Sequence, residues 1–282
     1  MSTVAGTQAY LDRIGTTRPS RPDAGALREL HLRHLLTVPF ENLSIHLGEE
    51  IVLEEKALLD KVVHARRGGF CYELGGAFAV LLRDLGFRVA FLQVRTLDDE
   101  GRIGIPYDHL ALRVGTDDGT GPWLVDVGFG DHSHYPLSLQ ERRDQDDPAG
   151  VFRVDETPDG DWEVLRNGQA RYRVERRART LPDFEAGSWY HRTSPASHFT
   201  RSPVCSLLTE DGRVTLSGRK LVTTADGRRT ERTLEGDDET LAAYRDLFGI
   251  VLDRLPAGPG TPDAPRGSTV QSPATLPLAD SS

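Results

Sequence analysis

Apolar residues in the first part of the chain recur at the three- and four-residue spacing of amphipathic helices. Two such stretches lie at residues 27–35 and 58–63, and a third at residues 71–84 follows a pair of glycines. The third stretch is closed by Gly86, at the position where glycine commonly ends a helix. We therefore predict a small helical bundle over residues 1–86.

The spacing changes from helical to alternating at about residue 87. Segments such as RVAFLQVRTL, DHLALRV and PWLVDVGF alternate apolar and polar side chains, and Gly, Asp and Pro turns separate them. Residues 87–187 are accordingly predicted to form a strand-rich domain, either a barrel or a curled sheet.

The remaining chain combines hairpins, one helix and a polar end. Asp-Gly pairs at 211–212 and 226–227 mark two hairpin turns, and residues 239–248 show a last helical pattern. We expect residues 188–255 to form a third, mixed unit, and the Pro-, Gly-, Ser- and Thr-rich residues 256–282 to be disordered. The fold class predicted for the chain is α+β.

Composition narrows the class of protein. The 282 residues include 38% hydrophobic and 27% charged residues, enough apolar side chains for a folded core. The net charge of −9 argues against a nucleic-acid surface, which needs clustered Lys and Arg. No apolar run approaches the roughly 20 residues that cross a bilayer, and the first residues lack the order of a secretory signal. We expect a soluble cytoplasmic protein with no nucleic-acid or membrane partner.

The two cysteines differ in their surroundings. They are too few for a disulfide framework, and neither lies in a C-x-x-C pair, which argues against structural zinc. Cys205, within VCSLL, fits a buried strand residue. Cys71 stands where the chain enters a helix, near unsatisfied N–H groups that favour the thiolate. The glycines at 68–69 would let the backbone approach a substrate, and Gly75 and Gly76 inside the helix suggest that another segment packs closely there.

Candidate partners for a reactive thiol lie in the alternating region. In DHLALRV, His109 shares one strand face with Ala111, opposite the apolar leucines. In PWLVDVGF, Asp126 also lies on the face opposite the large apolar side chains. Folding this hairpin about the centre of its loop, residues 115–122, places Asp126 near Ala111 and one diagonal from His109. Nucleophilic thiol chemistry needs such a cysteine, base and carboxylate.

Each of these residues also has a structural interpretation. A strand histidine is more often a hydrogen-bonded structural residue, an aspartate within VDV could cap a turn, and a buried cysteine is ordinarily a small core residue. His132 and His134 form an H-x-H that could bind a metal, but no third ligand accompanies them at a motif spacing, so we predict no metal site. Cys71, His109 and Asp126 together are less easily explained by structure alone.

Several motifs resemble the arylamine N-acetyltransferase family. RRGGFCYEL at 66–74, DHLALRV at 108–114 and LVDVGFG at 124–130 are similar to its central motifs. VPFEN at 38–42 and SWYHRTSPASHF at 188–199 extend the resemblance to about two hundred residues. It implies a helical bundle, a β-barrel and an α/β lid, of which the first two resemble a cysteine-protease core.

The resemblance also implies a ping-pong reaction that moves an acetyl group from acetyl-CoA to an aromatic amine or hydrazine, without a metal. At the matching positions, Cys71 would carry the acyl group, His109 would be its base, and Asp126 would orient His109. The acceptor pocket would be lined by three neighbouring residues, Gly128, Phe129 and Gly130.

Two further positions bear on how the site is built. The family's structural ion pair falls on Glu41 and Arg67, which would support the site without taking part in the chemistry. Asparagine is usual in the family where this chain has Gly75, so whatever that amide holds must be held differently here.

Three other functions compete with acetyl transfer. An amide synthase of the same family, which closes an ansamycin-type macrolactam, would share these motifs because pocket shape sets the acyl-chain length. A thiol hydrolase or transglutaminase-like enzyme shares the triad but not the motif details. A non-catalytic acyl-CoA binding module would be expected to lose one of the three residues, all of which are present. The sequence leaves the oligomeric state open.

Overall fold

The start of the chain forms five helices. Four of them share one apolar core, and the buried leucines of the third, short helix belong to the core of a later sheet. The computed structural model describes residues 4–98 and 100–257. Asp23 caps the second helix by accepting a hydrogen bond from the Ala26 N–H, and a single π-helical turn, Asp60–His64, extends the fourth. The elements of this part are α1 (Val4–Arg13), α2 (Ala24–Thr37), the short strand β1 (Phe40–Glu41), α3 (Leu43–Leu47), α4 (Glu55–Leu59) and α5 (Cys71–Asp84).

Helix α5 is buried along nearly its whole length, because residues 74–82 are all apolar or glycine. Its two glycines are points of close approach. A Cβ on Gly75 would lie 2.4 Å from Leu110 Cδ2, and one on Gly76 would lie 2.5 Å from Leu58 Cδ1. The prediction that another segment packs against these glycines is confirmed, and an asparagine at position 75 would displace Leu110.

Eight antiparallel strands form a strongly curled sheet in the middle of the chain. They are β2 (Arg88–Thr96), β3 (His109–Gly115), β4 (Trp123–Val125), β5 (Leu137–Ser138), β6 (Gln145–Asp147), β7 (Gly150–Glu156), β8 (Trp162–Arg166) and β9 (Gln169–Arg179). Their order is β5-β4-β3-β2-β9-β8-β7-β6. Register shifts where β9 pairs with β2 and with β8 bend the sheet.

The two ends of this sheet meet through one side chain. The amide of Gln145 in β6 accepts a hydrogen bond from the Ser138 N–H of β5 at 2.7 Å and donates to the Ser138 carbonyl at 3.1 Å. It thereby reproduces the two bonds that a neighbouring strand would make. The sheet closes into a barrel around an apolar interior, so the barrel that the resemblance implied is confirmed.

A smaller five-stranded sheet follows. Its order is β1-β10-β11-β12-β13, so a segment from the first 86 residues belongs to it. The two Asp-Gly pairs lie at hairpins as predicted, although the first turn is at residues 210–211, one position earlier. The later elements are α6 (Glu185–Thr193), β10 (Val204–Thr209), β11 (Gly212–Ser217), β12 (Lys220–Ala225), β13 (Arg228–Thr233) and α7 (Gly236–Phe248), which packs against the apolar face of this sheet.

The division of the chain at residues 86, 187 and 255 stays a prediction. Helix α6 runs through the second of these positions. The tail predicted to be disordered lies outside the described residues, apart from Pro256 and Ala257. Within residues 4–98 and 100–257, no helix is long and apolar enough to cross a bilayer.

A histidine of α2, His34, is buried against α5. Its Nδ1 lies 3.1 Å from the Tyr10 hydroxyl, and its ring packs edge-on against Phe78. Burial lowers the pKa of His34 to about 3, whereas an unfolded histidine titrates with a pKa of about 6.5. Between these values the unfolded state takes up a proton and the folded state does not. The free energy of unfolding therefore falls as the pH drops from about 6.5 towards 3.

We expect His34→Gln to flatten this dependence, because glutamine does not titrate. Between pH 6.5 and pH 4 the wild type should lose roughly 3 kcal/mol more unfolding free energy than the variant. Urea denaturation at a series of pH values measures the difference, with the exposed His64→Gln as the matched control. Equal pH slopes for wild type and His34→Gln would contradict the assignment.

Candidate active site

Cys71 is the first residue of α5 and is buried, with 2% of its surface exposed. The residue before it, Phe70, has extended backbone, and its N–H donates to Glu73 Oε2 at 3.2 Å. This contact fixes the point at which the helix begins. Since the first N–H groups of a helix have no partner within it, Cys71 stands at the positive end of α5, as the sequence predicted.

The glycines before Cys71 serve packing inside the protein. A Cβ on Gly68 would lie 1.9 Å from the Pro39 carbonyl oxygen, and one on Gly69 would lie 2.7 Å from Glu73 Cβ. The Gly69 carbonyl also accepts a hydrogen bond from the Glu41 N–H at 2.9 Å. The expectation that these glycines open the backbone to a substrate is wrong, because the segment around β1 and the first turn of α5 fill that space.

Buried charges hold the loop that leads to Cys71. Glu41 is fully buried, 2.9 Å from Arg67 Nη2, and accepts a hydrogen bond from the Leu43 N–H at 2.6 Å. Lys61 Nζ lies 2.6 Å from Glu73 and 3.9 Å from Glu41. Burial acts to raise the pKa of Glu41, but Lys61 and Arg67 hold it below its usual value. For Glu73 burial prevails over Lys61, and the pKa is raised. The ion pair placed on Glu41 and Arg67 is thus part of a larger network of charged side chains.

His109 begins β3, and Asp126 directly follows β4. Leu112 pairs with Val125 across the hairpin, so Asp126 lies opposite Ala111, as predicted from the sequence. His109 Nε2 lies 2.8 Å from Asp126 Oδ2, and the Cys71 side chain is close enough to the same imidazole to raise its pKa. The structure therefore brings together the three residues that the sequence singled out.

Charges within the site favour a protonated imidazole. Burial lowers the pKa of His109, but the Asp126 carboxylate and the Cys71 side chain together outweigh it and raise the pKa to about 10. Burial acts to raise the pKa of Asp126, but His109 and the Gly128 N–H, which donates to Oδ1 at 3.1 Å, keep it lowered. An imidazolium between a carboxylate and a sulfur can neutralise a thiolate and later give up its proton.

The loop after Asp126 lies directly against the cysteine and the histidine. A Cβ on Gly128 would lie 2.6 Å from Cys71 Cα, so only glycine lets the loop come this close. The Phe129 ring packs edge-on against the His109 ring at 5.3 Å. Gly130 has left-handed backbone, with φ at 88°. Two of the three residues that the resemblance assigned to the acceptor pocket, Gly128 and Phe129, therefore border the reactive groups.

Tyr172 belongs to this site, although it is not among the residues that the sequence motifs singled out. Its ring lies 5.4 Å from the Phe129 ring and stacks on His132 at 5.1 Å. Its hydroxyl is buried near Asp126 but does not meet hydrogen-bond geometry with any described residue. The alternation along β9 marks Tyr172 as inward-facing, and nothing in the sequence distinguishes it from a core residue.

His132 and His134 have structural roles. The His132 ring lies 4.9 Å from the Phe152 ring, and burial lowers its pKa to about 4. The His134 carbonyl oxygen lies 2.9 Å from His31 Nδ1. In the part of the chain that the structure describes, no three His, Cys, Asp or Glu side chains are grouped as metal ligands.

Cys205 is a core residue, as predicted. It has no exposed surface and lies in β10 opposite Glu41 of β1. Burial raises the pKa of its thiol well above the usual value. A protonated, buried thiol does not compete with Cys71 for an electrophile.

A cleft of about 420 Å³ begins beside Gly130 and is lined by the outer face of the smaller sheet. Two arginines, Arg213 and Arg229, line it. Arg213 is largely buried, donates to Ser206 Oγ at 3.3 Å and lies 3.9 Å from the Asp131 carboxylate. Burial lowers the pKa of Arg213, and Asp131 only partly offsets this. Because Arg229 pairs with Glu231, the positive charge that remains incompletely compensated in the cleft is that of Arg213.

Comparison with known proteins points to one family. A family model described as N-acetyltransferase matches residues 23–256. The arylamine N-acetyltransferase of Mycolicibacterium smegmatis is 34% identical over 268 residues, covering 87% of this chain and 92% of that protein. The structure of arylamine N-acetyltransferase from Salmonella typhimurium has a TM-score of 0.82 at 30% identity, covering 91% of this chain and 95% of that one. That of the Mycobacterium marinum enzyme in complex with CoA has a TM-score of 0.79 at 32% identity, covering 86% and 92%.

The Asp126→Asn change should lower the pKa of His109 from about 10, because it removes the carboxylate while the burial remains. The sign follows from the carboxylate stabilising the charged imidazole. NMR titration of labelled histidine side chains measures the shift, and Asp131→Asn is the matched control. An unchanged His109 titration in Asp126→Asn would mean that this carboxylate does not set the charge of the imidazole.

Proposed function

The chain belongs to the arylamine N-acetyltransferase family, and we propose that Cys71, His109 and Asp126 perform its acetyl transfer as a catalytic triad. The family and the α+β fold that the motifs indicated are confirmed by the relatives and the solved structures. The enzyme class, acetyl-CoA as donor and an aromatic amine as acceptor are confirmed in the same way. These relatives do not favour the amide synthase or the non-catalytic acyl-CoA module.

Three side chains lie close together at the start of α5, and their proximity is the observation that supports the proposal most strongly. The His109 imidazole contacts Cys71 on one side and lies 2.8 Å from Asp126 on the other. A thiol beside a base, with a carboxylate that orients the base, is the arrangement of nucleophilic catalysis. Within the described residues the other cysteine, Cys205, lies in a separate apolar core.

In the first half-reaction the Cys71 sulfur attacks the thioester carbonyl of acetyl-CoA. As the new S–C bond forms, the carbonyl oxygen takes up negative charge, and backbone N–H groups at the start of α5 are placed to stabilise it. When the tetrahedral intermediate collapses, the bond to the CoA sulfur breaks. Free CoA leaves with the proton that His109 had carried.

In the second half-reaction the amine nitrogen attacks acetyl-Cys71, and the neutral His109 accepts its proton. The Cys71 sulfur leaves as a thiolate beside the imidazolium, which restores the starting enzyme. Asp126 stays ionised and holds Nε2, so Nδ1 is the nitrogen that serves the reacting atoms. An aromatic amine or hydrazine suits this step because it is weakly basic and keeps a free lone pair at neutral pH.

We place the acceptor against Phe129. Its ring borders His109, and Tyr172 and His132 pack behind it and hold it in position. The ring is only partly buried and therefore offers an aromatic surface on which an arylamine can stack. The size of the ring beside the base favours flat acceptors over bulky ones.

We place the phosphate groups of CoA in the cleft that Arg213 and Arg229 line. The cleft begins at Gly130, two residues from Gly128, which touches Cys71. A thioester can therefore reach the sulfur while the nucleotide end stays near the arginines. A phosphate would also compensate the largely buried guanidinium of Arg213 better than Asp131 does.

We further propose that the enzyme acts in the cytoplasm. Cys71 and Cys205 are both free, and Cys71 has to remain reduced to act as the nucleophile. Cell fractionation followed by activity measurement tests this, and activity confined to an oxidising compartment would contradict it.

Incubation with acetyl-CoA alone should place one acetyl group on Cys71 and none on Cys205. Intact mass and peptide mapping identify the site, and Cys205→Ala is the control that should still be acetylated. Initial rates at several concentrations of both substrates should give parallel lines, since free CoA leaves before the amine reacts. If Cys71→Ala acetylates an aromatic amine at the wild-type rate, the covalent mechanism is wrong.

Arg213→Gln should raise the KM for acetyl-CoA about 10- to 100-fold, because one charge-assisted phosphate contact is lost. The KM for p-nitrophenyl acetate, which donates acetyl but has no phosphate, should stay unchanged. Steady-state kinetics with both donors measure the split, and Arg173→Gln on the exposed face of β9 is the matched control. Equal effects on both donors would place the phosphates elsewhere.

A further inference from the structure

The two residues before His109 are held by the nucleophile helix. Tyr107 has left-handed backbone, with φ at 59°, which residues other than glycine rarely adopt unless their surroundings fix it. The Tyr72 hydroxyl donates to the Tyr107 carbonyl at 2.6 Å and lies 3.0 Å from the Asp108 carbonyl oxygen. Because Tyr72 follows Cys71 and Asp108 precedes His109, this side chain joins the first turn of the nucleophile helix to the backbone just before the base.

Helix α6 holds Asp108 from another side. His191 Nε2 lies 3.1 Å from the Asp108 backbone oxygen, to which its N–H donates, and 3.1 Å from the carboxylate oxygen Oδ1 of the same residue. His191 Nδ1 lies 3.0 Å from Ser197 Oγ. The second carboxylate oxygen of Asp108 accepts hydrogen bonds from the N–H and the hydroxyl of Thr96. Both nitrogens of the buried His191 ring are therefore used to fix Asp108 and the segment after α6.

Close packing keeps α6 in this place. A Cβ on Gly187 would lie 2.3 Å from the Tyr107 carbonyl oxygen and 2.9 Å from the Tyr72 hydroxyl. Only a glycine lets the helix approach the Tyr107 backbone so closely. His191 follows four residues later, on the same face of the helix, and so reaches the next residue of the strand.

A carboxylate, an imidazole and a hydroxyl contact one another in Asp108, His191 and Ser197, as in a catalytic triad. The serine, however, is not accessible to a substrate. Ser197 is 3% exposed, and its Oγ accepts a hydrogen bond from the Phe199 N–H at 3.2 Å, which caps the short turn His198–Thr200. The Phe199 ring packs edge-on against the His191 ring at 5.1 Å. Since the described residues surround Ser197, no substrate reaches it, and these three residues act through what they hold in place.

We propose, on the basis of the triad assigned above, that His191 is a positioning residue that acts through Asp108 on His109. The contact fixes the backbone just before His109 and therefore the direction of the imidazole between Cys71 and Asp126. A misplacement of about 1 Å in a reacting group can lower a rate about 100-fold. Loss of His191 should accordingly lower kcat and leave the KM values for both substrates unchanged.

The proposal is tested by comparing His191→Ala with His191→Gln, whose amide nitrogen keeps a donor close to the place of Nε2. The alanine variant should lose about 10- to 100-fold in kcat, and the glutamine variant should recover most of it. Rates are divided by the amount of Cys71 that acetyl-CoA acetylates, so that unfolded protein is not counted. In the alanine variant the pKa of His109 should also fall from about 10, because its contacts with Asp126 and Cys71 loosen.

Trp189→Ala, which removes an exposed side chain of the same helix, is the matched control and should keep the wild-type kcat. If His191→Ala does not fold, Ser197→Ala decides, because it frees Nδ1 and should lower kcat in the same direction by less. The proposal is overturned if the variant that folds has the wild-type kcat per acetylated Cys71 and an unchanged His109 titration. Absence of acetyl-Cys71 in the wild type would overturn the triad chemistry instead, and the His109 titration would still decide the role of His191.

Discussion

The position of the reactive cysteine depends on the contacts of one buried carboxylate, that of Glu41. Alone in such surroundings it would be strongly destabilising, but the guanidinium of Arg67, the Leu43 N–H and the ammonium of Lys61 surround it. Removing one partner from a buried pair of this kind costs about 3–5 kcal/mol, because it leaves an uncompensated charge. Lys61 also binds Glu73, whose carboxylate fixes the first turn of α5. The place of the sulfur therefore follows from charges that take no part in its reaction.

The same network joins parts of the chain that are far apart in sequence. Strand β1, which carries Glu41, bonds to Gly69 just before the nucleophile on one side and pairs with β10 on the other. The sheet that begins with β10 supplies the arginines of the cleft. A two-residue strand thus links the loop before Cys71 to the surface on which we place the donor. A shift of that sheet would therefore change the position of the sulfur.

The sequence was informative wherever a period or a hairpin set the geometry. Alternation gave the faces of β3 and β4, and the centre of the intervening loop gave the register that brings Asp126 to His109. Contacts between segments far apart in the sequence could not be predicted from periodicity or from hairpin geometry. Strand β1 is too short to show a period, and the purpose of Gly68 became clear only from the Pro39 carbonyl that lies against it. Tyr172 could not be assigned to the site from the sequence, because an inward-facing tyrosine on a strand is equally well explained as a core residue.

The closure of the barrel by Gln145 has a consequence for the behaviour of the protein in concentrated solution. A sheet edge presents unpaired N–H and C=O groups, onto which a strand of another molecule can add and start aggregation. At β5 the Gln145 amide already occupies both groups of Ser138. Natural sheets often guard their edges with charged side chains, which depend on protonation and are screened by salt. Because an amide is neutral, intermolecular strand pairing at this edge is opposed by a contact that neither acid nor ionic strength removes.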